Sequence, residues 1–160
     1  MLGTVKKALV AVLFAVVAFS ALAQYRNIYS DTANAREDIA EAIRTAAKTH
    51  KRVLLDFGGN WCVDCLILNY YLHQSPNLKI LEDNFVLVHV QVSQVPDQMT
   101  LNTDIATKYR VSLKHGVPVL AVLDDHGQLL YSHVNGGFDA EVRSDPTTVT
   151  RFLNQWKAGA

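Results

Sequence analysis

The sequence predicts one α/β domain with a central mixed β-sheet flanked by helices, preceded by an export signal. Three observations carry this. Apolar residues at helical spacing alternate along the chain with short β-branched runs, the pattern of strands joined by helical crossovers. Two late runs, Val117–Leu123 and Gln128–Val134, are split by Asp124-Asp125-His126-Gly127, a turn signal that makes them an antiparallel edge. The 160 residues, 49% apolar and 19% charged, suit a single domain with a real core.

The same composition excludes several classes. Disorder, collagen and coiled coil do not fit it. Fifteen Lys and Arg balance fifteen Asp and Glu, so the basic face of a nucleic-acid binder is not expected. Two cysteines cannot make a disulfide-dense scaffold. Neither a GxxxxGK[ST] loop nor GxGxxG after a strand occurs, which argues against a nucleotide enzyme.

Residues 1–23 read as a signal peptide. Lys6 and Lys7 form a charged start, Ala8–Phe19 is an unbroken apolar run, and Ser20-Ala21-Leu22-Ala23 supplies small residues for cleavage. The alternative is a retained anchor, but Ala8–Ala23 falls short of the eighteen or so apolar residues that argue a span. No cysteine follows the run, which argues against a lipid anchor. The mature chain would begin at Gln24, carry a slight negative charge and not stay inserted in a membrane. The expected location is periplasmic or secreted.

Residues 24–32 form a polar lead-in, and 33–160 the domain. Asn34 and Glu37 suit a capping pair at a helix start. Ile39, Ala42, Ile43, Ala46 and Ala47 then mark one apolar helix face ending near Thr49–His50. Val53–Phe57 reads as a buried strand, broken by Gly58-Gly59-Asn60. Leu66–Leu72 reads as a largely buried helix that stops before Ser75-Pro76, and Asn77–Asp83 as a short helix. Phe85–Val92 is a second strand, Ser93–Asn102 a polar loop and Asp104–Tyr109 a short helix. After the late hairpin, Asn135-Gly136-Gly137 breaks the chain, and Thr147–Lys157 carries Val149, Phe152, Leu153 and Trp156 at helical spacing. The alternation implies a parallel core with an antiparallel edge.

The chemistry concentrates in Trp61-Cys62-Val63-Asp64-Cys65. A zinc or iron–sulfur site needs four ligands, and the sequence has no second Cys pair and no H-x₃₋₅-H. A static disulfide across so short a loop adds little to stability. A redox dithiol directly after a strand and opening a helix remains. Cys62 would sit at the helix start, where free N–H groups and the dipole favour the attacking thiolate. Cys65 would lie one turn on, placed to resolve a mixed disulfide.

Val53–Phe57, Trp61–Cys65, Gly116-Val117-Pro118-Val119-Leu120, the Gly136-Gly137 break and the closing helix together resemble the thioredoxin superfamily. The likeness runs from about Ala33 to Lys157 and is greatest to exported thioredoxin-like proteins and periplasmic thiol-reducing domains. The resemblance implies a thioredoxin fold with Cys62 as nucleophile and Cys65 as resolving cysteine. It implies that Asp56 relays a proton to and from the second thiol. It makes Pro118, after Val117, a cis-proline facing the disulfide and docking substrate backbone, and Trp61 the flanking aromatic. No cofactor beyond the Cys62–Cys65 disulfide is implied.

Each role has a plainer alternative. Asp56 could bond a neighbouring backbone group, Pro118 could be an ordinary trans edge proline, and Trp61 a packed aromatic. Lys114 and His115 are expected in a solvated loop. His50, His73, His89, His126 and His133 form no motif.

The sequence departs from the thioredoxin pattern in three ways. Val63-Asp64 replaces Gly-Pro between the cysteines, Tyr70 stands where a proline would follow Cys65, and the Ser93–Asn102 loop is longer. Val63 and Asp64 are therefore the residues expected to tune the redox couple. The expected function is exported thiol–disulfide oxidation–reduction, in the direction of reducing protein disulfides, with a membrane-bound electron donor. An oxidase or isomerase, or a non-enzymatic binding module of the same fold, are the alternatives.

Overall fold

The computed structural model describes residues 27–93, 101–133, 145 and 147–159. The expected signal peptide, the Gly136-Gly137 break and most of the Ser93–Asn102 loop lie outside these residues.

The first helix, α1 (Ala35–Thr49), buries Ala35, Ile39, Ala42 and Ala46; of the face its spacing predicts, Ile43 is half-buried and Ala47 is exposed. Asn34 occupies the N-cap, but its side chain makes no capping bond. Its backbone carbonyl accepts the first intrahelical bond, from Asp38 N–H at 2.9 Å. Glu37 and Asp38 lie in the first turn, where the positive end of the helix favours carboxylates. The expected capping pair is thus replaced by charge alone. The helix stops at His50, which turns left-handed (φ 55°) and donates its N–H to the Ala46 carbonyl.

Strand β1 (Arg52–Gly58) follows, buried from Val53 to Gly58. Helices α2 (Val63–Leu72) and α3 (Asn77–Asn84) carry the chain over to β2 (Phe85–Gln91). After α4 (Thr103–Lys108) come β3 (Val119–Leu123) and β4 (Leu129–Ser132), and α5 (Thr147–Trp156) closes the described fold.

The sheet order is β2-β1-β3-β4. Only β1 and β2 are parallel; β3 runs antiparallel to β1, and β4 to β3. The sheet is mixed, as predicted, but the expected parallel core is reduced to one pair. The alternation of helices and strands does not by itself fix strand direction: the chain enters β3 at the end of the sheet where it left β2, and Val119 pairs with Phe57.

Two apolar layers cover the sheet. On one face Val53, Leu55 and Phe57 join α1, Ile105, Ala106 and the alternate residues of β3. On the other, Leu54, Leu120 and Val122 meet Leu68 and Leu72 of α2, Leu81 of α3, and Val149, Phe152 and Leu153 of α5. The buried residues of α2 are Cys65, Leu68 and Leu72, while Tyr70 is 48% exposed. That helix is therefore half-buried rather than largely buried, because one side of it faces solvent beside β2.

The hairpin turn forms as its residues dictate. Asp124 Oδ1 accepts from His126 N–H at 2.9 Å and Gln128 N–H at 2.7 Å, and Gly127 adopts φ 80°. On the far face, Asn77 is buried and joins three elements. Its Nδ2 donates to the Tyr71 carbonyl at 2.9 Å, and its Oδ1 accepts from the Thr150 hydroxyl at 2.6 Å.

Asn77→Ala leaves the Thr150 hydroxyl and the Tyr71 carbonyl without these partners. The expected loss is about 1–3 kcal/mol. Urea unfolding should show a lower midpoint with an unchanged slope.

Candidate active site

Three chain segments meet where β1 ends: the Gly58–Cys65 stretch, the Val117-Pro118 bend before β3, and the lead-in residues 27–31. Cys62 is the N-cap of α2 and is bonded to Cys65 as a disulfide, with Cα atoms 5.3 Å apart. The Cys65 N–H donates to Cys62 Sγ at 3.1 Å. The sulfur thus holds the position a Ser or Asp oxygen holds in an ordinary cap, satisfying one orphan donor of the helix. Charge developing on that sulfur meets a donor already in place. Cys65 is fully buried and Cys62 is 7% exposed, so the outer sulfur is the accessible one.

The Val117–Pro118 peptide is cis, and the Val117 carbonyl oxygen lies 3.4 Å from Cys62 Sγ. Both residues are buried. Trp61 is 38% exposed and donates Nε1–H to the Val92 carbonyl at 3.3 Å. Val63 is 68% exposed and Asp64 half-buried in the first turn of α2. Trp61 and Val63 therefore give the rim of the disulfide an apolar surface. Lys114 and His115 are exposed in the loop before Gly116, as expected.

Asp56 is buried with no exposure, in the middle of an apolar strand. Such a carboxylate needs partners. Its Oδ2 accepts from the Tyr29 hydroxyl at 2.6 Å and lies 2.9 Å from His89 Nδ1. Its Oδ1 has no partner among the described residues. His89 sits directly opposite Asp56 in the parallel register of β1 and β2. Tyr29 meets the His89 ring edge-on, with centroids 5.0 Å apart.

Tyr29 also reaches the dithiol. A Cβ placed on Gly58 would lie 2.5 Å from the Tyr29 hydroxyl oxygen and 2.8 Å from Cys65 Sγ. The phenol and the inner sulfur therefore share one small space, and it exists because position 58 has no side chain. Asn60 fixes the segment that brings Tyr29 there. Its Oδ1 accepts from the Tyr29 backbone N–H at 3.1 Å, and its Nδ2 donates to the Tyr29 carbonyl at 2.6 Å.

Sequence reading singled out Asp56 but passed over Tyr29, Asn60 and His89. Tyr29 was placed in a polar lead-in, and it is fully buried. His89 carried a usable signal. It is the only ionisable residue in Phe85–Gln91, as Asp56 is in Val53–Phe57. Aligning the two runs as parallel neighbours sets them side by side. Tyr29 and Asn60 carried none, since their contact joins a loop to a segment without regular structure.

Among the described residues no group of three or more metal-ligating side chains gathers, and no helix is long and apolar enough to cross a membrane. The redox-active group is the cysteine pair itself.

A family model described as thioredoxin-like matches residues 33–125. No curated protein matches the chain. Among solved structures, a disulphide isomerase from Xylella fastidiosa Temecula1 is 27% identical, with TM-score 0.69 over 80% of this chain and 95% of that one. A DsbH oxidoreductase is 25% identical, with TM-score 0.45 over 70% of this chain and 81% of its own. A thioredoxin from Thermus thermophilus is 22% identical, with TM-score 0.49 over 72% and 81%.

Burial, the neighbouring Asp56 charge and the hydrogen bond to it push the Tyr29 phenol well above its ordinary value. The folded state keeps this proton after the unfolded chain, titrating near pH 10, has released it. The stabilisation is therefore complete below about pH 10 and is lost as pH rises through the folded value. Denaturation of the wild-type and Tyr29→Phe proteins from pH 8 to 11.5 should show the wild type losing stability faster above pH 10. Parallel curves would mean that Tyr29 ionises normally.

Proposed function

The chain belongs to the thioredoxin-like family, and on that premise we propose that it is an exported thiol–disulfide oxidoreductase that reduces protein disulfides. The observation that carries this reading is the asymmetry of the pair. Cys62 caps α2 at the surface beside Val117, and Cys65 is sealed behind it.

The reaction follows from that asymmetry. The Cys62 thiolate, favoured by the Cys65 N–H and the helix end, attacks a substrate disulfide. One substrate sulfur leaves as a thiolate and the other is held on Cys62 as a mixed disulfide. Val117 and Pro118 present backbone and a pyrrolidine ring to the substrate chain, and Trp61 flanks it. Cys65 then loses its proton, with Asp56 as acceptor, and attacks Cys62 Sγ. The Cys62–Cys65 bond forms, the mixed disulfide breaks, and the second substrate sulfur departs with the electron pair. Two electrons have passed to the substrate, and the pair must be reduced again by an external donor.

The reducing direction rests on Asp64. A couple becomes more oxidising as the reduced, thiolate form is stabilised. The span from thioredoxin to a strong periplasmic oxidase is roughly 150 mV, about 7 kcal/mol for two electrons. Asp64 suits the helix dipole, but its charge opposes a thiolate on Cys62. Val63 is neutral. The couple should therefore lie toward the thioredoxin end. Outside the cytosol such a protein needs a continuing electron supply, which points to a membrane-bound donor and to the periplasm as the place of action.

Isomerisation is the second reading, favoured by the likeness to the Xylella fastidiosa disulphide isomerase. It uses the same Cys62 attack but returns the substrate bond to the substrate.

Cys65→Ser should accumulate a mixed disulfide on Cys62, seen by mass spectrometry after incubation with an oxidised substrate, while Cys62→Ser should form none. Trapping on Cys65 alone would reverse the assignment. Equilibration against glutathione should place the wild-type potential near the thioredoxin end, and Asp64→His should raise it. A wild-type value at the oxidase end, or an Asp64→His couple with the wild-type potential, would defeat the reductase reading.

A further inference from the structure

We propose that Tyr29 and His89 complete a proton path that connects the buried Cys65 thiol, through Asp56, to solvent beside the edge of the sheet. The path rests on the thiol–disulfide reading above and extends it to how the sealed sulfur exchanges its proton.

The need for a path follows from burial. Cys65 and Asp56 both have no solvent exposure. A proton passed from the thiol to the carboxylate would stay on a buried, neutralised Asp56 until re-reduction returned it to Cys65, unless a further group carried it out. The geometry supplies both missing links. Asp56 and Gly58 lie on the same face of β1, about 7 Å apart along the strand. The Tyr29 hydroxyl spans that gap. It is 2.6 Å from Asp56 Oδ2, and it shares with Cys65 Sγ the space left open at Gly58. On the far side, Asp56 Oδ2 is 2.9 Å from Nδ1 of His89, whose side chain is 19% exposed.

His89 is where the buried cluster meets the outside. Its residue lines two surface depressions of about 360 and 530 Å³ on either side of Ile28. Asp38 and Glu41 of α1 line the first with it. Tyr70 and His73 of α2 line the second. Asp56 on β1 and Tyr29 in the lead-in complete the titratable groups around it. Both the Tyr29 and His89 contacts fall on Oδ2, so the unpartnered Oδ1 stays open as an acceptor.

The step balances as follows. In the mixed disulfide, the Cys65 S–H proton passes to the Tyr29 oxygen as the Tyr29 proton moves to Asp56. The Cys65 thiolate attacks Cys62 Sγ, the Cys62–Cys65 bond forms, and the substrate sulfur leaves with the electron pair of the broken bond. The Nε2–H tautomer of His89 takes the Asp56 proton on Nδ1 and releases the Nε2 proton to water; on re-reduction the path runs in reverse, Nε2 taking a proton from water and Nδ1 returning its own to Asp56. The departing thiolate takes a proton from solvent, so none is lost or gained overall. Tyr29 exchanges its proton with Cys65 directly, whereas His89 acts through Asp56 and is a positioning residue.

The test is rapid mixing of the reduced protein with oxidised glutathione between pH 5 and 9. Trp61 fluorescence follows attack by Cys62, and release of the second glutathione follows attack by Cys65. Tyr29→Phe and His89→Gln should each slow release about tenfold relative to attack and move the acid limb of its pH profile. The double variant should be no slower than the slower single, because both residues lie on one path. In His89→Gly, added imidazole should restore release, a rescue that a purely structural role for His89 would not give. Release rates within twofold of wild type with an unchanged pH profile, multiplicative losses in the double variant, or no rescue by imidazole would overturn the path. A wild-type protein that attacks glutathione but never releases the second thiol would overturn the dithiol reading and the path with it. Wild-type release with unaffected variants would overturn the path alone.

Discussion

A carboxylate buried in the central strand is the constraint from which the site is organised. Asp56 lies between Leu55 and Phe57, in a strand covered on both faces. Leaving it unpartnered there would cost several kcal/mol. The protein answers with a phenol from the lead-in and an imidazole from the neighbouring strand, both on one oxygen. Each partner then imposes a demand of its own. Tyr29 must be held by Asn60 and needs the empty space at Gly58. His89 must stand opposite Asp56, as it does in the observed parallel register of β1 and β2. The polar cluster and the fold thus specify one another.

The sheet topology brings the remaining parts to the same end. Because β1 and β2 are parallel and β3 returns antiparallel, the C-terminal ends of the first two strands and the N-terminal end of the third converge. The helix that opens there carries the cysteines, and the bend that precedes β3 carries Val117 and Pro118. No long loop is needed to join the sulfur to the carbonyl that faces it. The outer sulfur and the carbonyl that faces it are thus carried by two rigid elements, which limits the motion the site must suppress.

Much of this was legible in the sequence. The α1 face, β1, the late hairpin and the closing helix each carry a periodicity that packing had no reason to override. The dithiol and Asp56 stand out because polar or reactive residues interrupt apolar runs. What escaped were features that depend on pairing between distant segments. The parallel order of the core gave way because the alternation of elements does not fix strand direction: β3 enters the sheet at the end where β2 leaves it. Asn34 looks like a side-chain cap, yet its side chain makes no capping bond. Tyr29 looks solvated among Asn27, Ser30 and Asp31, and it is buried because a carboxylate far along the chain needs a donor. His89 was one of six histidines, and its neighbour became visible only once a register was known.

The missing side chain at position 58 bears on attempts to move this chemistry elsewhere. Grafting Trp61–Cys65 onto another strand–helix junction would transfer the sulfurs but not the pocket behind them. The transplanted unit would have to include the bare position two residues after the carboxylate, the amide that grips the lead-in, and a phenol arriving from a separate piece of chain. The portable module is therefore discontinuous, and scaffolds that end their first strand in alanine or larger are closed to it.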